Sequence, residues 1–94
     1  MKQEDAEPPR STGSLIVSGS FEARFRDEDA ARSAARDARS AGFVVTIHKH
    51  AGEGWLITSR PRQPFPVDDR DRYASRLRAI ATVHGGDYDG FLGD

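Results

Sequence analysis

No cysteine occurs among the 94 residues, which excludes disulfides, thiolate nucleophiles and cysteine-held metals and fits a reducing cytoplasm. Long hydrophobic runs are missing as well. The apolar stretches are only a few residues long and the first residues include acids, so neither a membrane span nor a secretory signal is expected. There is no surplus of positive charge either: 14 Lys and Arg stand against 15 Asp and Glu, a formal net charge of -1. Nonspecific phosphate binding ordinarily shows as an excess of cations, so any basic patch must be local.

What the chain contains suits one small domain. Of its residues 36% are apolar and 31% charged, and the apolar ones fall in short periodic groups that can face a core. The stretch 1–13 holds Pro8-Pro9 and the acids Glu4, Asp5 and Glu7 without any apolar period; it reads as a flexible tail, and 14–94 reads as the domain. From Ser14 onward, Leu15, Val17, Gly19, Phe21, Ala23 and Phe25 alternate with polar residues. That is the period of a half-buried strand, with a bulge or bend expected at Gly19. Asp27-Glu28-Asp29 supplies a cap and first-turn acids to a helix along which Ala30, Ala34, Ala38 and Ala41 recur up to Gly42, while Arg32, Arg36 and Arg39 point outward. Phe43 to His48 and Trp55 to Thr58 are β-branched and aromatic runs on either side of Ala51-Gly52-Glu53-Gly54, the pattern of a hairpin.

Arg60 to Pro66 carries three prolines, which forbid a central strand and predict an extended connector. Asp68-Asp69 is expected to cap a second helix with Tyr73, Leu77, Ile80 and Ala81 on its apolar side, stopped by Gly85-Gly86. Asp87 to Phe91 then alternates as a short closing strand. The order strand, helix, strand, strand, helix, strand predicts an α+β fold, a ferredoxin-like two-layer sandwich in which two helices cover one face of a four-stranded antiparallel sheet.

The chain is chemically quiet. No nucleophile elbow or triad order is present, and its carboxylates cluster at helix starts, where capping explains them, so no catalytic residue and no enzyme activity is expected. His48 and His50 stand at alternate positions, but no third ligand is local and His84 is distant in sequence. With Asp87 and Asp89 also lacking companions for a calcium loop, neither a metal nor a cofactor is expected. Arg60, Arg62, Arg70, Arg72, Arg76 and Arg78 could bind nucleic acid beside Trp55 as an alternative. The basic and aromatic strand motif of an RNA-recognition module is absent, however, and Asp68, Asp69 and Asp71 offer these arginines ordinary surface partners, so nucleic acid is disfavoured. The closing run has two compatible readings. Its glycines suit a tight turn and a bent edge strand, and Asp87 and Asp89 around Tyr88 and Phe91 suit a protein interface to which Trp55 could contribute. A homodimer through the sheet face or edge is a further alternative.

Gly85-Gly86-Asp87-Tyr88-Asp89-Gly90-Phe91, placed after the last helix, resembles the terminal signature of the RraB family, regulators of ribonuclease E. Phe43 after Ala41-Gly42, the strand with Trp55 and the proline-rich approach to the second helix are similar to that family too, so the resemblance runs from about Ser14 to Leu92. Phe91 stands where the family commonly has Trp, which keeps an aromatic ring and loses an indole donor. The better-known members carry an extended acidic N-terminal portion, and a short mixed tail stands here. The resemblance implies a noncatalytic, cytoplasmic regulator that binds a ribonuclease E-type enzyme or its scaffold, with Trp55, Asp87, Tyr88, Asp89 and Phe91 as contact residues.

Overall fold

Alternation of large apolar and polar side chains from Gly19 to Phe25 builds the strand around which the rest is arranged. The computed structural model describes residues 15–49 and 54–94; the expected tail, His50 and the turn residues Ala51, Gly52 and Glu53 lie outside them. In chain order the elements are β1 (Ile16–Val17), β2 (Gly19–Phe25), α1 (Glu28–Ser40), β3 (Val44–Lys49), β4 (Trp55–Arg60), β5 (Phe65–Pro66), a 3-10 turn (Val67–Asp69), α2 (Arg70–Val83) and β6 (Asp87–Gly93). The fold is mixed α+β with two helices and antiparallel sheets. One sheet has four strands in the order β3-β4-β2-β6, and a second pairs β1 with β5.

The described strands thus number six where four were expected. The first expected strand breaks at Ser18: β1 leaves to pair Ile16 with Pro66 and Val17 with Phe65, while β2 enters the larger sheet. The proline-rich connector therefore forms a ladder after all, but only two residues long, as the lost N–H of proline allows at a short edge. Val67 N donates to Leu15 O at 2.7 Å and extends the same contact.

Phe21, Ala23 and Phe25 turn to the helices and are buried. Opposite them α1 buries Ala31, Ala34, Ala35 and Ala38, none of which exposes any surface. The buried stripe sits slightly to one side of the one expected, since Ala30 and Ala41 are only half-buried. Small side chains contribute little area each, at about 25 cal/mol per Å², but let the helix approach the sheet closely. Phe43, Val45, Ile57, Phe65, Leu77 and Ala81 complete the core.

The helix starts differ. Asp27 caps α1 by accepting from Ala30 N at 3.0 Å, as its sequence suggests. Asp69, the residue before α2, does not cap it through its side chain: it lies with Asp68 in the 3-10 turn and has helical dihedrals with no side-chain cap bond. A cap residue needs extended backbone for its oxygen to reach back, and the tightened turn removes that geometry. Among the described residues no helix is long and apolar enough to cross a membrane.

Candidate functional site at the closing strand

The turn that delivers β6 is built from its glycines. Gly85, at φ 76, donates to Thr82 O at 3.0 Å, and Gly86 donates to Ala81 O at 2.7 Å, the paired bonds of a glycine-terminated helix. Gly86 also passes against β2 so closely that a Cβ there would overlap the Phe25 ring and stand 2.7 Å from the Arg24 carbonyl oxygen. β6 then pairs with β2, Asp87 opposite Arg24, Tyr88 opposite Ala23 and Phe91 opposite Phe21.

The register shifts between Glu22 and Ala23, whose partners are Gly90 and Tyr88, so Asp89 is the extra residue of a bulge and Gly90 takes φ 124 to complete it. The register shift of this ladder is thus carried by the closing strand, while Gly19 stands at the break after Ser18 where the chain passes from the small sheet to the large one. The bulge aims Asp89 at the exposed side of the sheet, where its Oδ2 accepts from Arg24 Nε at 2.7 Å.

The five expected contact residues divide between two surroundings. Asp87 and Asp89 are exposed, whereas Trp55, Tyr88 and Phe91 are half-buried on the helix side and pack against the core. Phe91 lies 4.8 Å from the Phe21 ring centroid and 6.0 Å from that of Phe65. Tyr88 lies under Arg78, whose Cζ is 5.1 Å from its ring. Burial pushes the Tyr88 phenol above its ordinary value, against the pull of Arg78 and Arg70.

Trp55 and Asp87 do line one groove, at one end of the sheet. With Arg24, Phe25, Arg26, Gly54 and Gly85 they line an open groove of about 550 Å³. Lys49 Nζ lies 5.1 Å from the Trp55 ring centroid, within cation-π range. A half-buried indole among cations and a carboxylate can take a side chain or short segment bearing both apolar and charged atoms. Tyr88 and Phe91 do not line this groove. Arg24 and Arg26 do, although the sequence pattern marked them only as the polar side of a strand. Their role follows from pairing between residues more than 60 positions apart, as with the 65-residue separation of Arg24 and Asp89, and a local period carries no such information.

The six arginines of the nucleic-acid alternative do not share one setting. Arg60 pairs bidentately with Asp94 at 2.8 and 3.1 Å, Arg72 lies 3.3 Å from Asp69 and Arg70 4.0 Å from Asp71. Arg78 covers Tyr88, and Arg62 and Arg76 are exposed. Of the two histidines at the hairpin, His48 is described, with Nε2 3.1 Å from Thr46 Oγ1. His84 joins the helices instead, its Nε2 2.6 Å from Asp37 Oδ2. Among the described residues no three His, Asp or Glu side chains gather as a metal site.

These features define a small α+β fold with a mixed aromatic and charged groove at the sheet end. The profile of the family described as Regulator of ribonuclease activity B, RraB, matches residues 18–92. That span runs from the residue before β2 to the penultimate residue of β6 and covers most of the chain, so the chain belongs to the RraB family. A comparison with curated proteins returned no match.

Proposed function

We propose that the chain is a noncatalytic regulator that binds a ribonuclease E-type enzyme or its scaffold and thereby inhibits or modulates RNA turnover in the cytoplasm. The observation that carries this reading is the family match over residues 18–92. In the same reading the four-stranded sheet with its two helices is a ferredoxin-like sandwich, to which the β1–β5 ladder is an addition, and 14–94 is its single domain. Trp55, Asp87 and Asp89 contribute through the groove and the neighbouring bulge, while Tyr88 and Phe91 support the strand from its packed side. The absence of a charge surplus suits specific docking on a protein more than general attraction to RNA.

Retention of a purified ribonuclease E-type enzyme on the immobilised full chain at low salt tests the reading. The enzyme should be retained, should cleave a test RNA more slowly when the chain is added, and should be retained less by an Asp87→Lys variant. Failure of the unaltered chain to retain or slow the enzyme would remove the proposal.

A further inference from the structure

The opposite edge of the four-stranded sheet carries a second feature, built from residues the closing strand does not use. Helical spacing sets Arg32, Arg36 and Arg39 in a row along α1. With Ser40 and Ile47 they line a groove of about 370 Å³ between α1 and β3. Arg39 Nη2 donates to the main-chain carbonyl of Val45 at 2.9 Å, so a guanidinium from the helix already reaches the backbone of the outermost strand. Arg32 is held by Glu28 at 2.6 Å, and Arg36 has no acidic partner among the described residues. Asp37 occupies the other flank of the helix, against His84.

β3 ends the strand order, and among the described residues no strand pairs with its outer side. Alternate residues of such a strand turn N–H and C=O outward. The carbonyl that accepts Arg39 marks Val45 as one of them, and the two-residue period extends the set to Ile47 and Lys49.

We infer that this groove takes an extended acidic segment of a protein partner, which adds as a strand to β3 and directs alternate carboxylates at Arg32, Arg36 and Arg39. Arg39 turns from the Val45 carbonyl to an incoming carboxylate and leaves that carbonyl to the added strand; main-chain bonds along the edge then supply affinity and the arginine row supplies selection, because a guanidinium matches a carboxylate bidentately. The intervening side chains of the added strand fall beside Thr46 and the half-exposed Val44 on the other face, which favours β-branched residues there. A nucleic acid fits less well: among the described residues no aromatic ring lines the groove for bases to stack on. The inference rests on the chain's binding a protein, but not on that protein being a ribonuclease.

A short blocked peptide of alternating glutamate and threonine is the probe, titrated into the isotope-labelled full chain, with its lysine-for-glutamate counterpart and a short oligouridylate in parallel. The acidic peptide should shift the backbone amides of Val45 to Lys49 most, and its affinity should fall as salt rises. Arg36→Glu should weaken it roughly tenfold or more, and Arg36→Gln less, at unchanged thermal stability since the side chain is exposed. Equal binding of the lysine peptide, indifference to Arg36→Glu, shifts centred elsewhere, or tighter Arg36-dependent binding of the oligouridylate would each overturn the inference. If the peptide fails while a ribonuclease is still retained, the inference falls and the functional proposal stands; peptide binding without ribonuclease retention supports the inference and removes that proposal.

Discussion

Asp94 illustrates how single side chains act in a domain whose surface is dense in charge. Its carboxylate accepts two bonds from Arg60, and these, with Ser18 beside it, hold it below the ordinary aspartate range. An aspartate lowered on folding contributes stability that is complete above its unfolded value and is lost as pH falls through the folded one. Because both partners are exposed, the contribution is small and sensitive to salt. Thermal unfolding should therefore find Asp94→Asn slightly less stable than the parent at neutral pH, with the two converging in strong acid. A gap that persists undiminished in acid would contradict this origin. The sequence shows Arg60 only as a charge near the arginines of α2; its partner, Asp94, lies 34 residues on and is legible only in the fold.

The two helices show which signals at the element scale are self-sufficient. α1 carries its own instructions, with Asp27 as cap, Glu28 and Asp29 in the first turn, and alanines at the buried spacing. α2 has comparable acids at its start, yet the 3-10 turn after Pro66 denies Asp69 the extended backbone of a cap. Asp27→Ala should cost about 1 kcal/mol, within a range of roughly 0.5–2. Asp69→Ala should cost less, because it removes only an exposed pairing with Arg72. Chemical denaturation of both variants checks the order, and equal losses would refute the difference in capping. The β1–β5 ladder was not legible at this scale. Two-residue strands have no period, and the same prolines that mark a connector are tolerated at such an edge. The bulge at Asp89 was hidden for a related reason, since a bulge is defined against the partner's register.

Across the whole molecule the two sheets are joined by aromatic rings from distant parts of the chain. Phe21 of β2 has ring centroids at 6.4 Å from Phe43, 6.1 Å from Phe65, 6.3 Å from Tyr73 and 4.8 Å from Phe91. It exposes 1% of its surface. Phe21→Ala should cost about 3–5 kcal/mol, a large share of the roughly 5–15 kcal/mol typical of small domains. The unfolding midpoint should fall by tens of degrees, on the scale of about 4–8 °C per kcal/mol, and a shift of only a few degrees would show that Phe21 is not the joint. By itself the chain's pattern determined the α+β class, both helices, the hairpin strands and the closing strand after Gly85-Gly86, because backbone period, capping and glycine stops act within a few residues. Only the tertiary structure decided that Trp55 and Asp87 share a groove with Arg24 and Arg26 while Tyr88 and Phe91 turn inward, and that Arg32, Arg36 and Arg39 flank an edge strand. Those relations depend on strand register and on which flank of a helix meets which strand, and both are set by packing between residues far apart in the chain.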